Sequence, residues 1–139
     1  MNNIFVIGVG LIGGSLCLDI KKIYPKVKVY GIDTSIENLD MAVKLNLIDY
    51  KSSLDFLYKA DLVLISTPVD VANKIIIDVL NNINSKSLVI DFGSTKTNIC
   101  STVDNHKKRR NYLASHPIAG TEFSGPNAAS SGLFNNKTM

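Results

Sequence analysis

Apolar residues follow two rhythms along this chain. Unbroken runs occur at "IFVI" (4–7), "DLVLIS" (61–66) and "SLVID" (87–91). Continuous rather than alternating hydrophobicity predicts strands buried on both faces, as in a parallel sheet. The first strand is expected over 3–9, the others over 61–66 and within 87–94. "VKVYGI" (27–32) alternates and predicts a further strand, a short one is expected over 48–51, and "NYLAS" (111–115) runs into "HPIAG" as the last of the series. Between them the rhythm changes to that of a helix. One helix is expected over 11–24, stopped by Pro25. The next starts after Ser35, a good N-cap, with Ile36, Leu39 and Val43 on one face. "SSLDFLYKA" (52–60) predicts a short helix. Residues 69–82 predict an amphipathic one that offers Val71, Ile75, Ile76 and Val79 to the core, and 95–106 a last one. "LFNNKTM" (133–139) reads as the start of a strand with no continuation, so the chain is expected to be one domain ending before its last strand.

Strands alternating with helices of about a dozen residues define an α/β fold, a doubly wound and mainly parallel sheet with helices on both faces. At 139 residues, 45% hydrophobic and 19% charged, the chain is long and apolar enough for a real core. The net charge of +3 is a weak bias, and no basic stripe with interleaved aromatics points to nucleic acid. The basic run "HKKRR" (106–110) fits a solvated helix end, or else a phosphate-binding patch. Cys17 and Cys100 both fall within helices, form neither a disulfide framework nor a metal site, and suit a reducing cytoplasm. The apolar start lacks the basic flank of a signal peptide and is too short to cross a membrane.

Four glycines in seven positions open "GVGLIGGSLCLDI" at residue 8, where a strand must turn into a helix. Gly8, Gly10 and Gly13 make G-x-G-x-x-G. The first permits the tight turn, the second lets backbone approach a pyrophosphate, and the third lets helix and strand pack closely. Leu11 and Ile12 lie between them in the same candidate site, where free N–H groups and the helix dipole face an anion. Packing alone is the competing explanation of these glycines. Asp33 follows Gly13 by twenty positions, at the end of the second strand. Its carboxylate is placed to accept from a ribose diol, and it would repel a 2′-phosphate. NAD is therefore favoured over NADP.

In open α/β sheets, ligands bind beyond the carboxyl ends of the strands. "STPVD" (66–70), "DFGSTK" (91–96) and "SHPIAGTEFSG" (115–125) all leave there. Ser66 and Thr67 are placed to touch a nicotinamide ribose, and Ser94 to reach the reacting centre. His116 precedes Pro117, which biases it to extended backbone at a strand exit. Its imidazole is either a general base for an alcohol-type hydride donor or a structural loop residue. His106, in the basic run, is expected to be solvated.

"GVGLIGGSL", Asp33, "DFGSTK" and above all "SHPIAGTEFSG" resemble the N-terminal domain of the prephenate dehydrogenase family, over essentially the whole chain. The resemblance implies a Rossmann-type domain and NAD-dependent oxidative decarboxylation of prephenate to 4-hydroxyphenylpyruvate in tyrosine biosynthesis. It implies that His116 assists deprotonation of the substrate's ring hydroxyl, and that Ser94 supports the histidine, the nicotinamide and the substrate. Thr121 and Glu122 would line the substrate side. Family members continue into a helical C-terminal domain that forms a homodimer, and this chain stops before it, so weak or no turnover is expected of it alone. Three rivals remain: an arogenate dehydrogenase, a non-catalytic NAD-binding module, and a β-hydroxyacid-type dehydrogenase, which would leave "HPIAGTE" unexplained.

Overall fold

The computed structural model describes residues 1–138. Six strands, β1 (Asn3–Ile7), β2 (Lys28–Ile32), β3 (Tyr50–Lys51), β4 (Leu62–Ile65), β5 (Leu88–Asp91) and β6 (Tyr112–Ala114), form one sheet in the order β3-β2-β1-β4-β5-β6. Every pairing is parallel, with Ile4 beside Val29 and Leu62, and Asp91 beside Ala114. Four α-helices cover it: α1 (Leu11–Ile23), α2 (Ile36–Lys44), α3 (Val69–Asn82) and α4 (Thr97–Val103).

The apolar run of β1 shows why the strands are unbroken. Phe5 and Ile7 join one core with Ile76 and Val79 of α3 and Ile99 of α4. Ile4 and Val6 join the opposite core with Cys17 of α1 and Leu39 and Ala42 of α2. With a period of two and a helix layer on each side, every position from Ile4 to Ile7 is buried and apolar, and only the half-buried Asn3 at the strand's start is polar. Full burial of each such side chain stabilises the fold by about 1.5–3 kcal/mol.

Several expected boundaries move. β1 ends at Ile7 because Gly8 takes φ +88°. The strand expected over 48–51 keeps only Tyr50 and Lys51, and that over 111–115 keeps Tyr112–Ala114. The short helix over 52–60 is a 3-10 turn, Leu54–Lys59. Ser35 caps α2 as expected, its Oγ accepting the Asn38 amide at 3.1 Å. The face of α2 differs, however: Leu39 and Ala42 are buried, while Ile36 and Val43 are exposed. The helix expected over 95–106 covers only Thr97–Val103. Its intended continuation is drawn onto the end of α3 instead. There Lys108 Nζ donates to the Asn81 and Ile83 carbonyls, and the His106 ring meets Asn81 Oδ1 at 3.2 Å. The basic run thus does not end a helix: Lys107 and Arg110 are exposed as expected, while Lys108 satisfies carbonyls that the end of α3 leaves unpaired.

Residues 133–138 do not start a strand either. Turns occupy 131–136, with Gly132 and Asn136 at positive φ and the Asn135 amide donating to the Gly132 carbonyl. Met139 lies outside the described residues.

Candidate functional site

β1 and β4 are neighbours, but β1 feeds a helix on one face of the sheet and β4 a helix on the other. Their carboxyl ends part, and a crevice opens at this reversal of strand order. Its floor is backbone packed on backbone. A Cβ on Gly8 would stand 2.8 Å from the Ser66 carbonyl oxygen, and one on Gly13 only 2.0 Å from the Gly8 carbonyl oxygen. Ser66 Oγ closes the joint from β4, donating to the Gly8 carbonyl at 2.7 Å. Ser66 thus spends its hydroxyl proton on holding the loop.

Gly10 differs from both. The nearest heavy atom to a Cβ there is the Gly125 amide nitrogen at 4.0 Å, so this position faces open space. The first helical bond of α1 runs from the Gly14 amide to the Gly10 carbonyl at 2.8 Å. The amides of Gly10, Leu11, Ile12 and Gly13 have no acceptor among the described residues. They are the unpaired donors of a helix start, and no acidic side chain occupies that first turn.

Asp33 follows β2 directly, beside this loop. Its Oδ2 accepts the Val9 amide at 3.0 Å and its Oδ1 the Ser35 amide at 2.9 Å. The carboxylate therefore braces the glycine loop, with remaining lone pairs available to a ligand.

A cleft of about 980 Å³ spans these parts. Gly8, Gly10, Leu11, Ile12 and Asp33 line it, as do Ser66 and Thr67. Gly13 lies beneath, as packing. A smaller cavity of about 260 Å³ shares Ile12, Ser66, Thr67 and Pro68 with the cleft and reaches Phe92, Gly93 and Ser94 at the β5 exit. Thr67 Oγ1, in the shared wall, is buried without a hydrogen-bond partner. A continuous surface thus runs from Asp33, across the glycines, to Ser94.

His116, Thr121 and Glu122 line neither space, and all three are exposed. His116 leaves β6 directly after Ser115, whose amide donates to the Asp91 carbonyl at 3.0 Å. The chain then returns, and Phe123, Ser124 and Gly125 form the wall of the cleft facing Gly10. It is pinned to α1 by the Ser130 amide on Ser15 Oγ at 3.0 Å and by Ser131 Oγ on Asp19 Oδ1 at 2.7 Å. This wall was not expected from the sequence, and neither were Ser52, Ser53 and Leu54, which line the same cleft. Val71 and Ile75, expected in the core, are half-buried and line the cleft, Ile75 also packing against the core. The "SG" pair closing the histidine motif was the available signal for the wall. Nothing local marked the others.

An all-parallel sheet in this order, with a glycine floor at its reversal and free amides above it, defines a nucleotide-binding α/β domain of Rossmann type. The chain belongs to the family of the prephenate dehydrogenase nucleotide-binding domain, which matches residues 16–139. It is 36% identical over 139 residues to a prephenate dehydrogenase of Bacillus subtilis, covering 97% of this chain and 38% of that protein. It is 34% identical over 134 residues to a cyclohexadienyl dehydrogenase of Zymomonas mobilis, covering 95% and 46%. The crystal structure of A. aeolicus prephenate dehydrogenase with hydroxyphenyl propionate and NAD+ superposes with a TM-score of 0.88 at 31% identity, over 99% of this chain and 49% of that one. Synechocystis arogenate dehydrogenase gives 0.81 at 25% identity, over 97% and 48%. The chain spans less than half the length of each of these relatives. Among the described residues no helix is long and apolar enough to cross a membrane.

Proposed function

We propose that this domain binds NAD for a prephenate dehydrogenase, which converts prephenate to 4-hydroxyphenylpyruvate with loss of carbon dioxide. The observation that carries this proposal is the continuous surface from Asp33 to Ser94, floored by Gly8 and Gly13, which leave no room for a side chain. The residues fit the cofactor in kind. Free amides at Gly10–Gly13 suit a diphosphate, the Asp33 carboxylate suits a ribose diol, and the orphan Thr67 hydroxyl awaits a partner. When bound, NAD supplies the hydride acceptor.

This chain's residues do the rest. His116 stands free at its strand exit and takes the proton of the substrate's ring hydroxyl. Ser94, on the neighbouring exit, supports that histidine and orients the ring against the cofactor. Thr121 and Glu122 border the substrate from the same loop. Loss of carbon dioxide makes the ring aromatic and drives the reaction forward. The repulsion of a 2′-phosphate by Asp33 favours NAD over NADP. We further propose that the complete protein is a cytoplasmic homodimer whose helical C-terminal domain closes the substrate side. The naming of the B. subtilis and A. aeolicus relatives supports prephenate as the substrate.

The test is NADH formation by the complete gene product, with prephenate and arogenate assayed side by side. Faster turnover of prephenate is expected, and a preference for arogenate would replace the substrate. His116→Asn should lower kcat by about 10²–10⁴-fold and leave NAD+ affinity intact. Unchanged kcat would remove the histidine from the mechanism.

A further inference from the structure

A buried polar cluster stands behind the exits of β5 and β6, outside the nucleotide cleft. Asp91, the last residue of β5, is 1% exposed. Its Oδ1 accepts the Gly93 amide at 2.8 Å. Its Oδ2 accepts Lys96 Nζ at 2.6 Å and the Tyr112 hydroxyl at 2.7 Å. Its main-chain carbonyl accepts the Ser115 amide at 3.0 Å. Burial together with the neighbouring carboxylate pushes the Tyr112 phenol well above its ordinary pKa, so it remains a donor across the working range.

Taking a carboxylate out of water is costly, and a well-packed apolar group in its place is often as stable. Stability alone therefore gives little reason for a charge here. The partners give a better one. Gly93 and Lys96 bracket Ser94, so Asp91 ties down both ends of the short loop whose exposed Ser94 faces the smaller cavity. Tyr112 and Ser115 bracket β6, and His116 follows at once. One residue thus holds the serine loop by its side chain, β6 by its side chain, and the start of the histidine loop by its carbonyl.

We infer that Asp91 is a positioning residue, which fixes Ser94 and His116 relative to each other and so aligns hydroxyl and imidazole on the same substrate atom. The inference rests on the function proposed above and extends it to a residue that touches neither substrate nor cofactor. Lys96 balances its charge, and Tyr112 carries the link from β5 to β6. Misplacement of reacting groups by about 1 Å can cost on the order of 10²-fold in rate, which sets the size of the effect.

The experiment uses the complete gene product and compares Asp91→Asn, Tyr112→Phe and His116→Asn, singly and combined. NAD+ binding is followed by titration, and turnover with prephenate by NADH formation. Asp91→Asn should lower kcat on the order of 10²-fold and NAD+ affinity far less, because the glycine floor and Asp33 lie on other strands and only the Phe92–Ser94 edge of the cofactor surface hangs on Asp91. Tyr112→Phe, losing one hydrogen bond, should lose roughly 2–10-fold. In the His116→Asn background both losses should largely vanish, since residues acting through one another are not additive. A purely structural role would not produce that cancellation. Unchanged kcat in folded Asp91→Asn, parallel loss of NAD+ affinity, or full additivity with His116→Asn would each overturn the inference. Should Asp91→Asn fail to fold, Tyr112→Phe and its double variant decide by the same criteria. A parent protein that binds no NAD+ or leaves prephenate unchanged overturns the proposed function instead, and this inference falls with it.

Discussion

The two ends of the crevice are built in opposite ways. At the glycine end, backbone meets backbone, Gly13 against Gly8 and Gly8 against Ser66, and the Asp33 carboxylate braces the Val9 amide. Those residues are buried or half-buried, and their bonds leave little freedom. Beyond the other end, the side chains proposed for proton transfer sit on an exposed loop, where His116, Ile118 and Phe123 stand in solvent. What order that end has comes from behind, through Asp91. A diphosphate asks for amides, which any backbone can offer if side chains stay away. Proton transfer asks for particular side chains at a particular spacing, and only a loop and its supports can set that.

The comparison breaks most clearly on two alanines. Gly13→Ala places a methyl group 2.0 Å from a carbonyl oxygen and 2.5 Å from Ser66 Oγ, so backbone has to move. In an open helix this change would stabilise by about 1 kcal/mol. Here it should destabilise by about 3 kcal/mol, measured by urea unfolding, and NAD+ binding should go with it. Gly120→Ala, in the histidine loop, meets nothing within 4 Å. It should change stability by less than about 0.5 kcal/mol. Equal stabilities for the two variants would mean that the glycine floor is not interlocked.

A smaller effect sharpens the same contrast. Asp33→Ala removes the acceptor proposed for the ribose and also frees the Val9 and Ser35 amides. Hydrogen bonds to a charged group are worth about 1.5–3 kcal/mol, so NAD+ should bind roughly 10–100-fold more weakly. NADP+ should lose less, because the repulsion of its extra phosphate goes too. Titration of both cofactors checks this, and unchanged discrimination between them would take the ribose away from Asp33.

The glycine end was legible in the sequence because its determinants are local. Gly8, Gly10 and Gly13 lie within six positions of one another, and the strands around them are unbroken apolar runs because both faces are covered. Ser35 as a helix cap is local too. The histidine end was legible only as a motif. His116 and Ser94 stand out by residue type, but Asp91 gains its meaning from Tyr112, twenty-one positions away and brought near by the β5–β6 pairing. Phe123–Gly125 became a cleft wall through Ser130 and Ser131 binding α1, more than a hundred positions back. The helix expected over 95–106 stopped early because Lys108 and His106 found better partners at the end of α3. Val71 and Ile75 lie at the edge of the apolar face of α3, which is wider than the core it covers: Ile75 packs against the core and lines the cleft, and Val71 lines the cleft.

The two thiols give the finest probe of the contrast, one on each side of the sheet. Cys17 of α1 has no exposed surface, and burial pushes its thiol up to about 12 from an ordinary value near 9. Cys100 of α4 is half-buried and packs against the core beneath the histidine end. Only a thiolate attacks an alkylating reagent. Near neutral pH Cys100 should therefore label first in the native protein, and Cys17 only as the fold opens. The same shift has a consequence for stability. Below pH 9 Cys17 is protonated whether the chain is folded or not, and ionisation does not favour either state. Between about pH 9 and 12 the unfolded thiol loses its proton while the folded one keeps it, so folding weakens as pH rises through that window. Cys17→Ala, measured against the parent by urea unfolding at several pH values, should flatten part of this alkaline loss. Equal alkylation of the two cysteines in the native state would show that the glycine side opens as readily as the histidine side.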